Sequence, residues 1–149
     1  MAYDVGPIDG GPGQGVQRLL ALATHLETVR DQDYDHRTWR RQAPDGSWTM
    51  CALGHGVTAL PDLIGLRWRG PDSLDVVRLD GSGLTENVLD LAAEAFEITR
   101  EEAERIFGLG LYTVEFYGRA GAFGLKPACV AAAIRAFACA KMETTRIAA

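Results

Sequence analysis

Apolar residues recur at helical spacing in "VQRLLALATHLETVR", where Val16, Leu19, Leu20, Ala23, Leu26 and Val29 share one stripe. That period predicts an amphipathic helix over 16–30. It returns in "LTENVLDLAAEAFEI", with Val88, Leu89, Leu91, Ala92, Ala95 and Phe96 on a broad face and Thr85 as the expected N-cap. The next residues, "TREEAERIFG", place Thr99 and Glu102 at capping-box spacing and stop at Gly108. Pro127 opens an alanine-rich helix that buries Val130, Ile134 and Phe137 and runs to about Met142. Between these long patterns lies "CALGHGVTAL", a short helix over about 51–60 that ends where Pro61 cannot continue it. Its Gly54 and Gly56 each cost about 1 kcal/mol against Ala in a helix interior, so another element is expected to press against them.

Weaker patterns fill the gaps. "GLRWRGPDSLDVVRLDGSG" alternates loosely and reads as a small hairpin, 66–69 against 74–79. "DQDYDHRTWRRQAPDGSW" keeps no period and reads as a loop with a turn at Asp45-Gly46. In "LGLYTVEFYGRAGAFG" the aromatic residues Tyr112, Phe116, Tyr117 and Phe123 are expected to anchor the chain to the core. The predicted fold is mainly α, a compact bundle of about five helices with at most one small β-hairpin. A flexible Gly/Pro-rich arm over 1–15 precedes a single helical domain over 16–142, and 143–149 form a fraying tail.

Composition narrows the function. The chain has 149 residues, 47% hydrophobic and 23% charged, as expected of one globular domain. Its net charge of −5 disfavours bulk electrostatic binding to nucleic acid or to an anionic membrane. The N-terminal stretch lacks the basic and apolar regions of a signal peptide, and no apolar run is long enough to span a bilayer. Three cysteines, an odd number, suggest reduced thiols in a cytoplasmic protein.

Two constellations could carry chemistry. The first is Cys51 with His55, one helical turn apart on one face. A helix N-terminus favours thiolate at Cys51, as in cysteine hydrolases. No histidine follows His55, however, and a histidine one turn along the same helix is poorly aligned to activate the thiol. As zinc ligands the pair would need single partners from His25, His36, Cys129 or Cys139, with no further Cys-x-x-Cys or paired-histidine spacing. The reading that asks least is structural: Cys51 as a small buried hydrophobe and His55 hydrogen-bonded within the core. No metal and no cofactor are expected. The second constellation is "HRTWRR" and "RWR". Arg37, Trp39 and Arg40 with Arg67, Trp68 and Arg69 could stack a base or hold a phosphate. Alternatively the tryptophans cover the core edge while the arginines pair with nearby aspartates.

The order of these motifs resembles a loosely defined family of small proteins of bacteria and their phages. In that family a Trp precedes a Cys-(Ile/Ala)-Ala/Leu-Gly-His box and a "glsxxeAxxLF" segment follows. Here "YDHRTW", "CALGHGVTALP" and "EEAERIFG" carry the likeness, which covers Leu19 to Gly108. Many relatives have a further cysteine in a Cys-Gly-Thr stretch ahead of the box, where this chain has "DGSWTM". The resemblance implies an origin near mobile elements and no established activity. The expectation is a non-enzymatic accessory protein, of the anti-defence kind among others, acting through a protein–protein surface. A small-ligand or nucleotide binder and a Cys/His enzyme or zinc protein are the alternatives.

Overall fold

The computed structural model describes residues 13–118 and 124–148. Most of the N-terminal arm, and Phe123, lie outside the described residues. Among these residues seven α-helices and four short strands follow in the order α1 (Gln14–Leu26), β1 (Arg40–Gln42), β2 (Trp48–Met50), α2 (Ala52–Ala59), α3 (Pro61–Ile64), β3 (Leu66–Trp68), β4 (Val76–Arg78), α4 (Val88–Phe96), α5 (Arg100–Phe107), α6 (Leu111–Tyr117) and α7 (Pro127–Ala148). The architecture is mainly α. A second small hairpin is present beyond the one expected: β1 pairs antiparallel with β2, Arg40 opposite Met50, around the Asp45-Gly46 turn. Three-residue strands are too short to show an alternating pattern, so only their turn was visible in the sequence. The other hairpin pairs Leu66 with Arg78 and Trp68 with Val76.

Helix α1 lies along α7 and also touches α2 and α4. Leu19, Leu22, Ala23 and Leu26 of α1 are fully buried, together with Val130, Ile134 and Ala138 of α7 and Phe96 and Phe107. Helix α7 runs on to Ala148, past the stop expected near Met142. The N-cap of α4 is Asn87 rather than Thr85, its side chain accepting from the Leu89 amide. Thr99 and Glu102 form the expected capping box on α5.

The two glycines of α2 are explained by contact. A Cβ on Gly54 would lie 2.0 Å from the Trp39 carbonyl oxygen, and one on Gly56 would lie 2.9 Å from Ile64 Cδ1 and 3.1 Å from Leu22 Cδ1. The chain from Tyr34 to Trp39 is thus pressed onto the start of α2, where Asp35 N donates to Met50 O at 3.1 Å and Cys51 N to Thr38 O at 2.8 Å. That segment carries His36, Arg37 and Trp39, so the packing of one helix positions the candidate site.

Candidate functional site

Cys51 is the N-cap of α2 and 1% exposed. Its Sγ accepts from the Gly54 amide at 3.4 Å. Burial pushes the thiol up to about 11; the Gly54 and Leu53 amides at the helix start pull the other way and lose. Desolvation, which favours the neutral thiol, outweighs the helix terminus here. His55 is buried and donates Nε2–H to the Asp33 carbonyl at 2.8 Å. Burial lowers its pKa, against the opposing pull of that carbonyl. The ring serves a backbone acceptor, not the thiol. Among the described residues no three His, Cys, Asp or Glu side chains gather as a metal site requires.

The two Arg/Trp clusters do meet in space. The Arg40 guanidinium lies 4.1 Å from the Trp68 ring centre and 5.0 Å from that of Trp48. Its Nε donates to the Ser73 carbonyl and its Nη2 to the Gly70 carbonyl, both at 2.8 Å, and Nη2 also reaches Ser73 O. Arg40 therefore joins the two hairpins, stacking on aromatic faces while it satisfies turn carbonyls. Arg67 donates to the carbonyls of Leu79, Trp68 and Arg69. Arg37 grips Asp35 through Nε at 3.0 Å and Nη2 at 3.2 Å, and Arg41 shares the same carboxylate. Arg69 pairs with Asp75 at 3.2 Å. Trp68 Nε1 donates to Thr58 Oγ1, and Trp39 is half-buried against the core. Carboxylate pairing holds for Arg37, Arg41 and Arg69, whereas Arg40 and Arg67 bind carbonyls.

A different histidine stands out. His36 is 3% exposed, and its Nδ1 lies 2.7 Å from the Tyr34 hydroxyl. Its Nε2 is buried without a hydrogen-bond partner. Burial lowers the ring's pKa to about 4, which the neighbouring Gly108 backbone and the Asp35 carboxylate oppose only in part. It belongs to a file of rings: His25 beside His55 at 6.1 Å, His55 stacked on Tyr34 at 6.0 Å, Tyr34 to His36 at 6.1 Å, and His36 edge-on to Tyr117 at 5.4 Å.

His36 lines a pocket of about 230 Å³, with Trp39, Leu89, Phe107, Gly108 and Leu109 among its walls. Leu89, Gly108 and Leu109 are shared with a shallower groove of about 360 Å³ that continues to Leu111 and Tyr112, between Glu104 and Glu115. Helix α6 is fastened by hydroxyls to carbonyls in the last turn of α5: Thr113 Oγ1 donates to Glu104 O at 2.6 Å and Tyr117 OH to Ile106 O at 2.9 Å. With its inner side so held, its outer residues face water. Leu109 is 57% exposed, Leu111 80%, Tyr112 40% and Val114 41%.

The sequence reading singled out neither the His36 pocket nor this apolar corner. Its signal was the run "GLGLYTV", whose leucines stand outside any helical stripe. Comparison with protein-family models, with curated proteins and with solved structures finds no match.

Proposed function

We propose that this chain is a non-enzymatic binding protein that engages a protein partner through the groove between α4 and the α5–α6 corner. The observation that carries this reading is the group of exposed apolar side chains at 109, 111, 112 and 114. Leu109, Leu111 and Tyr112 converge on one groove with half-buried Leu89, and Val114 stands on the same helix. Single exposed leucines are ordinary, but neighbouring ones around a concavity are the usual mark of a recognition surface. Glu104 and Glu115 flank the groove, and the whole chain carries −5. Glu104 is shared with Arg100 at 3.8 Å, while the Glu115 side chain makes no ion pair among the described residues. The complementary partner is an apolar segment bearing Lys or Arg beside its anchors. An accessory or anti-defence role in a bacterium or phage accords with the sequence resemblance and with such a surface.

A photo-crosslinking residue at Leu111 tests this, with one at Ala132 on the exposed side of α7 as the control position. In native-host extract, cross-links from position 111 should map to one apolar, basic segment of one protein. Equal labelling from both positions, or none from 111, would sink the reading.

A further inference from the structure

Polar groups around the inner pocket are engaged within the chain. Arg37 holds Asp35 through Nε at 3.0 Å and Nη2 at 3.2 Å. Thr38 N donates to Asp35 O at 3.2 Å, Thr38 O accepts from Cys51 N at 2.8 Å, and Gly108 N donates to Glu104 O at 2.9 Å. His36 Nδ1 faces the Tyr34 hydroxyl at 2.7 Å. Its Nε2 is buried, with the Gly108 backbone beside the ring. What remains for a guest to touch is chiefly Trp39, Leu89, Phe107 and Leu109. A hydroxyl or a charge carried inside would lose its water and gain no partner.

The space is about 230 Å³, below the roughly 300–1,000 Å³ typical of sites for free small molecules, and it suits one side chain. Its Trp39 and Phe107 walls favour an aromatic guest, through ring-to-ring contact. The pocket shares Leu89, Gly108 and Leu109 with the outer groove, so a segment lying in the groove can send one side chain into it. Charge decides whose segment that is. The groove is flanked by Glu104 and Glu115, and among the described residues no Lys or Arg lines it. A second copy of the chain, seated groove to groove, would set carboxylates against carboxylates. Residues 1–12 of the chain itself carry Asp4 and Asp9 and no Lys or Arg. A foreign basic segment meets neither obstacle.

We propose that this pocket is a socket for a phenylalanine side chain of the partner protein, carried beside a Lys or Arg that meets Glu115. The assignment rests on the groove being the partner surface. An aromatic anchor in a desolvated pocket, with charge at its rim, is the usual centre of such an interface.

The experiment titrates the full chain, labelled with ¹⁵N-tryptophan, with three capped peptides: acetyl-Lys-Phe-Lys-amide, acetyl-Lys-Tyr-Lys-amide and acetyl-Glu-Phe-Glu-amide. The Lys-Phe-Lys peptide at millimolar concentration should move the Trp39 indole signal. The Tyr peptide should bind about fivefold more weakly, the ratio for one unmet hydroxyl near 1 kcal/mol. The acidic peptide should bind several-fold more weakly, by a margin that narrows as salt is raised. Excess Lys-Phe-Lys peptide should also suppress the cross-links from position 111. No movement of Trp39, equal or tighter binding of the Tyr peptide, or equal binding of the acidic one overturns the socket. Cross-links from position 111 that the Lys-Phe-Lys peptide leaves undiminished overturn the socket alone, and the groove reading stands. If position 111 yields no cross-links, the groove reading falls, and the partner falls with it as the source of the guest.

Discussion

The sulfur of Cys51 shows how burial and a helix terminus compete at one atom. The terminus alone favours thiolate, but full burial removes water from the charged form, and the thiol rises to about 11. We therefore expect a neutral-pH thiol reagent to modify two cysteines quickly, Cys129 and Cys139, which are exposed, while Cys51 reacts only on unfolding. Quantitative labelling followed by peptide mapping checks this. Gly54 should be the least replaceable small residue. Its Cβ would sit 2.0 Å from a backbone carbonyl, which cannot rotate away as a side chain can. Gly54→Ala should lose more than about 3 kcal/mol in denaturant unfolding, above the usual over-packing range. Acid should act through the histidines first. His25, His36 and His55 are all held below the ordinary value of 6.5 by burial, His36 to about 4. Between those values the unfolded chain binds protons that the folded chain refuses. The histidine contribution to stability is therefore full above about 6.5 and is lost as pH drops toward 4. The His36 share is about 3 kcal/mol, from about 1.4 kcal/mol per pKa unit. Unfolding curves across that window should show the slope, and His36→Asn should flatten it.

The two hairpins depend on each other through Arg40. Each is a three-residue ladder, too short to be stable by its own bonds. The guanidinium between Trp48 and Trp68, bonded to Ser73 and Gly70 carbonyls, ties one turn to the other. Arg40→Ala should cost about 2 kcal/mol, from a partly desolvated cation–π contact and lost charge-assisted bonds. Arg69→Ala removes only the exposed pair with Asp75, over half exposed on each side, and should cost less than about 1 kcal/mol. Thermal melts of the two variants, with tryptophan fluorescence reporting on the hairpins, separate these outcomes. Equal effects would mean that Arg40 is no more than another surface charge. The arginines of "HRTWRR" and "RWR" thus have different partners, because the carbonyls that Arg40 meets lie 30 and 33 residues away and leave no trace in the local pattern.

At the scale of the molecule, four of the exposed large apolar side chains among the described residues, at 109, 111, 112 and 114, lie close together in the chain. Leu111 is 80% exposed, so Leu111→Asp removes no buried contact and should leave the melting temperature within a degree or two. With the photo-reactive residue moved to position 112, the same change should abolish cross-linking to the partner by placing a third carboxylate beside Glu104 and Glu115. A large fall in stability would show instead that Leu111 belongs to the core.

Much of this architecture could be read from the chain alone. Helical period is a local property, and the apolar stripes at 16–29, 88–96 and 130–137 announce α1, α4 and α7 without reference to any neighbour. The Thr99–Glu102 capping box is equally local, since both partners lie within one turn. The glycines of α2 announced close packing, although not that Trp39 and Leu22 supply it. What could not be read is everything that depends on residues distant in sequence. The first hairpin needs a partner strand, and Arg40 needs carbonyls at 70 and 73. His36 becomes a buried ring lining an apolar pocket only when 107–109 at the end of α5 fold against 36–39. A histidine in a polar loop gives no local sign of burial, because burial is a property of the space around a residue and the tertiary fold alone sets that space.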